Sequence, residues 1–140
     1  MMVQLTAGQQ GPDIPFSPKC TKQNLPVTAG GSRDDIAQCI VYDPANELII
    51  VGGLTQSSDF GPANTNNGFL YAINFEGDWV WGNHYSNSTG DSISTISGCQ
   101  LSSDGAQIVI LGTTREQVVM GVVNATDGRL NNLYSLENKE

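Results

Sequence analysis

Beyond Leu25 the apolar residues fall into short runs: Cys39-Ile40-Val41-Tyr42, Leu48-Ile49-Ile50-Val51, Phe69-Leu70-Tyr71-Ala72-Ile73, Trp79-Val80-Trp81, Ile108-Val109-Ile110-Leu111 and Val119-Met120-Gly121-Val122-Val123. Clusters of Gly, Asn, Asp and Ser separate them. Runs rich in Val, Ile, Tyr and Trp between turn formers read as β-strands. Nowhere does an apolar period of 3.6 last three turns, so the pattern predicts an all-β chain. Before Leu25 the picture changes. Residues 1–24 carry Pro12, Pro15 and Pro18 among Gly and Gln, which forbids helix and blocks central strands, so this part reads as an extended arm.

The pattern repeats. CIVYDPANELIIVGG from Cys39 and CQLSSDGAQIVILGT from Cys99 align without a gap at a spacing of 60, setting Leu48–Gly52 on Ile108–Gly112 and Asp43–Asn46 on Ser103–Ala106. Phe69–Asn74 then matches Val119–Asn124 at a spacing of 50, the difference lying in the longer Gln56–Gly68 loop of the first copy. Each copy reads as a four-stranded antiparallel meander, closed by Trp79-Val80-Trp81 in the first and by Leu130 to Leu136 in the second. The second strands are apolar on both faces, which suits a sheet held between two neighbouring sheets better than one with a wet face. Four-stranded units of about 40–50 residues are the blades of propellers. The division expected is blade one over 32–86 and blade two over 87–140. Leu25–Gly31 is placed like the last strand of a preceding blade. Two blades make an incomplete ring and leave apolar faces bare, so the chain is expected to lean on copies of itself, on another propeller-bearing protein, or on the rest of a longer propeller.

Two stretches carry a family resemblance. LPVTAGGSRDDIAQCIVYDPANELIIVGGLT resembles the bacterial β-propeller repeat of the SBBP type, with its aspartate-rich turn and its strand ending Gly-x-Thr. NGFLYAINFEGDWVW resembles the third and fourth strands of quinoprotein-like repeats. The resemblance covers residues 25–136 as two copies, and the second departs from it by holding Leu130 and Tyr134 where Trp is expected. It implies that first strands line the propeller axis, which would bring Cys39 and Cys99, at equivalent places in adjacent blades, within disulfide reach. The other reading of the pair is two small buried hydrophobes. Cys20 is left over, as an intermolecular bridge or a free thiol. A period of two sets Trp79 and Trp81 on one face, packing between blades.

Composition narrows the partners. Charged residues make up only 14% of the 140, the net charge is −8, and the six Lys and Arg are scattered. That excludes a phosphate-tracking nucleic-acid surface and disfavours an anionic membrane. No apolar run reaches the roughly 20 residues of a spanning helix, and the N-terminus lacks the basic and apolar regions of a signal peptide. A secreted form would therefore be a processed chain or a piece of a precursor.

No catalytic, cofactor or metal constellation emerges. His84 is the lone histidine, Gly-x-Ser-x-Gly is missing, and Asp34, Asp35, Asp59, Asp91 and Asp104 sit where turns use the carboxylate on the backbone. Asn87-Ser88-Thr89 and Asn124-Ala125-Thr126 fit the glycosylation pattern of a eukaryotic secretory route. Trp79, Trp81 and Tyr85, with His84, are candidate ligand-binding aromatics. The leading reading is a non-catalytic structural or protein-interaction module, extracellular or on a cell surface, that self-assembles through blade faces and the arm. The alternatives are a carbohydrate-binding propeller, using the Gln56–Gly68 loop or the aromatic cluster, and a fragment of a quinoprotein-like enzyme, for which these blades lack the charged residues of a cofactor pocket.

Overall fold

The computed structural model describes residues 30–59, 66–85 and 92–136, in which the chain is all β, with no helix among the described residues. β1 (Asp35–Asp43), β2 (Leu48–Thr55), β3 (Asn67–Asn74) and β4 (Trp79–His84) form one antiparallel meander. β5 (Thr95–Leu101), β6 (Gln107–Thr113), β7 (Val118–Asn124) and β8 (Leu130–Ser135) form a second, and neither sheet closes into a ring. The arm over 1–24, most of the Leu25–Gly31 segment, Cys20 and Asn87 lie outside the described residues. Gly30 and Gly31 precede β1 without belonging to a strand.

The sheets stack face to face around one core. Alternation turns Leu48, Ile50, Leu70, Ala72 and Trp81 inward from the first sheet, where they meet Ile96, Ile108, Ile110, Val119 and Val123 of the second. Ile50, Leu70, Ile96, Ile108 and Val123 are fully buried, each such side chain contributing about 1.5–3 kcal/mol. The sheets meet along β5, which lies against β1, β2 and β3, and they open toward β8, every residue of which is exposed. The connection before β5 threads the seam: Gly68 N donates to Ile93 O (2.7 Å), and Ile93 N donates to Tyr85 O (2.9 Å). Gly68 and Gly52 leave room for Ile93, Ile96 and the Cys39 sulfur.

Register revises the internal repeat. A β-bulge between Ala37 and Cys39 has its twin between Ile96 and Gly98, and Gly53 opposite Phe69 has its twin in Gly112 opposite Val119. The first two strands therefore repeat at a shift of 59, not 60, and the structural counterpart of Cys39 is Gly98, while that of Cys99 is Ile40. A shift of one residue reverses the face a side chain occupies. That is why Cys39 and Cys99 can meet: true counterparts would point the same way along the stack, whereas these two point toward each other. They form a disulfide with a Cα–Cα distance of 5.8 Å.

The corrected register gives each outer face a counterpart. The outer face of the first sheet (Ile40, Tyr42, Ile49, Val51 and Phe69) corresponds to Cys99, Leu101, Ile108, Ile110 and Val119, the mated face of the second. The outer face of the second sheet (Val109, Leu111, Met120 and Val122) corresponds to Ile50, Gly52, Leu70 and Ala72, the mated face of the first. In the last strands Leu130 corresponds to Trp79 and Asn132 to Trp81, so Tyr134 does not stand at a Trp position.

Asp35 pins the start of β1. Its carboxylate accepts hydrogen bonds from Gly31 N (2.6 Å), from Ser57 Oγ (3.1 Å) and from the Thr55 hydroxyl, the Thr of the Gly-x-Thr signature. Desolvation alone would raise its pKa, yet these donors outweigh it and hold the carboxyl below the ordinary 3.8. A pKa lower in the folded state stabilises above 3.8, and the contribution disappears as pH falls through the lower folded value. The protection factors of the amides at the start of β1, with the intrinsic rate divided out, are expected to fall as pH drops below about 4. Asp35→Asn should flatten that dependence, leaving the smaller acid response of Asp104, whose exposed carboxyl is likewise lowered by Ser102 Oγ and Ala106 N.

Candidate functional site

The site grows from an irregularity in β4. Ala72 pairs with Trp81 and Ile73 with Trp79, so Val80 is an extra residue bulging from the strand. The bulge separates the two tryptophans, correcting the expectation that they share a face. Trp81 turns inward, is 8% exposed, and packs over Gly128 of the β7–β8 turn. Trp79 turns outward and is 48% exposed.

On the outer face Trp79 joins Phe69 and Tyr71, which a period of two places on the same side of β3. Phe69 and Tyr71 rings lie 5.5 Å apart at 4°, Tyr71 and Trp79 rings 5.1 Å apart at 20°, so three nearly parallel rings stand in a row. The Trp79 indole lies flat on Gly82, where a Cβ would collide with it. Burial pushes the Tyr71 phenol above its ordinary pKa, keeping it a neutral donor. This row borders a cleft of about 370 Å³ to which Ser58, Asp59 and His84 bring polar groups. The Asp59 carboxylate is held by Ser32, whose N and Oγ each donate to Oδ1 at 3.2 Å. Beside it on the same sheet, an apolar hollow of about 550 Å³ is lined by Ile40, Val41, Tyr42, Ile49 and Phe75.

Other candidates have structural roles. Tyr85 is buried, and its hydroxyl donates to Gly128 O at 2.7 Å; burial, then the Asp127 charge, drives its pKa far above the ordinary value. Asn83 Nδ2 donates to Asp127 O at 2.8 Å, so β4 and the residue that follows it are each pinned to the second sheet's last turn. Trp81 and Tyr85 are therefore core and seam residues, and Trp79 alone of the three aromatics named from sequence faces a cleft. Asn124 Oδ1 accepts from Thr126 N (2.8 Å) and Thr126 Oγ1 (2.7 Å), folding that sequon into its own turn. Asp104 bonds the backbone of its own turn, whereas Asp35 and Asp59 tie the 31–32 segment to β1 and to the end of β2; among the described residues no cluster of His, Cys, Asp or Glu could hold a metal. Phe69 and Tyr71 were not singled out from sequence, although the Phe-x-Tyr spacing of a strand carried the signal. No protein-family model matches the chain, and neither a curated protein nor a solved structure matches it.

Proposed function

We propose that the chain is a non-catalytic interaction module, a two-blade segment of a propeller-type stack that assembles with further copies of itself into a ring or filament. One observation carries this reading: each bare outer face is the register counterpart of a face already mated inside the chain. The outer face of the second sheet offers what the first sheet uses at the seam, and the outer face of the first offers what the second uses. Such a pairing is head to tail, the kind that closes into a ring or continues as a fibre. Both faces suit desolvation. Ile40, Tyr42 and Ile49 on one side and Val109, Leu111 and Met120 on the other include no charge, while the acidic residues crowd into turns. Ile40 is 68% exposed, and apolar patches of this kind mark interaction surfaces. The Cys39–Cys99 disulfide supports an oxidising, extracellular setting.

The counterparts supply the test. Ile40 and Gly98 correspond to Cys99 and Cys39, and a Cβ on Gly98 meets only Leu111 Cβ at 3.6 Å. In the proposed stack, the double variant Ile40→Cys/Gly98→Cys rebuilds the bridge between successive chains. On mild oxidation it should run as a ladder of covalent multimers on a non-reducing gel. With Cys20→Ser in every variant, each single variant should give dimers at most, and adding Leu111→Arg to the double variant should erase the ladder. A double variant that stays monomeric, beside a parent that sediments as a monomer, overturns the proposal.

A further inference from the structure

The aromatic cleft has no counterpart in the second sheet, because Leu130 stands at the position of Trp79 and Val119 and Gly121 at those of Phe69 and Tyr71. Stacking does not call for three rings there. Stacking would cover Phe69 and Tyr71, whose counterparts Val119 and Gly121 are buried, but not the Trp79 end of the row. Leu130 and Leu133, the counterparts of Trp79 and Gly82, lie on the mated side of the second sheet, yet remain 37% and 36% exposed because the sheets diverge toward their last strands. The same divergence at the next seam leaves the Trp79 rim open to solvent. The cleft is a separate feature with a separate use.

We infer that this cleft binds a neutral carbohydrate, with a pyranose ring seated against the exposed Trp79 indole and its hydroxyls bonded to the polar groups of the cleft. The chemistry of the lining selects that class. A sugar ring has one face of C–H groups and an edge of hydroxyls. Trp79, the exposed end of a row of rings stacked face to face, supplies an apolar face, and Asp59, His84 and Ser58 supply an acceptor, an imidazole and a hydroxyl to the same cleft. The volume of about 370 Å³ is within the range of small-ligand sites, which combine apolar walls with a few convergent polar groups. Two other ligand classes fit less well. An anionic ligand would meet the Asp59 carboxylate on a chain of net charge −8, with no Lys or Arg at the rim. A quaternary ammonium group is held by rings that wall it from several directions. Here the planes differ by only 4° and 20° at 5.5 and 5.1 Å, so the rings stack on one another and wall no cage.

Gly82 is the positioning residue of the site. Only a residue without a side chain lets the indole lie down on β4 beside Tyr71, its cross-strand neighbour being Tyr71 itself. A methyl group there lifts the indole and breaks the row while leaving every aromatic residue in place.

The test uses the full chain and soluble neutral hexasaccharides of glucose, xylose, mannose and N-acetylglucosamine, followed by indole fluorescence and saturation-transfer NMR. At least one should bind, and Trp79→Ala should weaken it by roughly tenfold or more, as loss of a stacked aromatic implies. Gly82→Ala should weaken it comparably with an unchanged circular dichroism spectrum, which separates loss of the row from loss of the fold. Leu111→Arg, which blocks stacking, should bind as the parent does, so this inference and the proposed assembly succeed or fail separately. Absence of binding to every hexasaccharide at about 10 mM overturns the inference. So does equal binding by Trp79→Ala, or preference for a choline or trimethyl-lysine probe over the sugars.

Discussion

Replacing Cys99 by Ser lowers the stability of the chain by about 4 kcal/mol and its melting temperature by on the order of 10 °C, as scanning calorimetry would record. The argument starts from the span the bridge closes. Cys39 and Cys99 are 60 residues apart, and a cross-link across a loop of that length removes much of the freedom of the unfolded chain. The bridge also joins β1 to β5, the strand along which the two sheets meet. Without it the sheets are held by the Ile50, Leu70, Ile96, Ile108 and Val123 core and by the two bonds to the 127–128 turn. Cys39→Ser should match Cys99→Ser, and so should the parent in a strong reductant. Adding reductant to either variant should change nothing more. A reduced parent that melts with the oxidised one would show that the seam stands without its bridge.

Comparable losses are expected at two glycines. Gly53→Ala should cost about 3 kcal/mol or more, and Gly112→Ala nearly as much, read as shifts in urea midpoints. Each lies opposite the β-bulge in the neighbouring first strand, where the extra residue pushes a backbone carbonyl over the partner strand. A Cβ on Gly53 would drive into Ile36 O, and one on Gly112 into Thr95 O. Both obstacles are backbone, so no rotamer change relieves them, and the bulge itself must move. Gly98→Ala provides the contrast. Its Cβ would meet Leu111 Cβ at an ordinary 3.6 Å, so it should stay within about 0.5 kcal/mol of the parent or exceed it. Equal losses at all three would mean that the bulge carbonyls do not explain the first two.

These glycines also show how much of the fold was legible. Alternating apolar and turn segments gave eight strands in two meanders, and Gly-x-Thr marked the second strand of the first copy. The phase of the repeat was not legible. Leu48-Ile49-Ile50-Val51 and Ile108-Val109-Ile110-Leu111 are apolar at every position, so sliding one along the other by a residue costs nothing in the pattern. The cysteines then drew the alignment to 60, where the bulges and glycines require 59. Faces apolar on both sides erase the alternation that normally fixes register. The candidate site was hidden for a related reason. Trp79-Val80-Trp81 alternates like any strand, and nothing in three letters announces that Val80 is an extra residue. Once the bulge is known, the outward Trp79, the flat Gly82 and the Phe69/Tyr71 pair follow.

Because strands repeat at 59 and the cysteines at 60, the covalent seam belongs to the junction within a chain and has no copy at the junction between chains, where Gly98 would face Ile40. Assemblies made of this chain alone thus gain and lose sheets in inseparable pairs. Propellers close at about four to eight sheets, and a closed ring built this way would have an even count, from two, three or four chains.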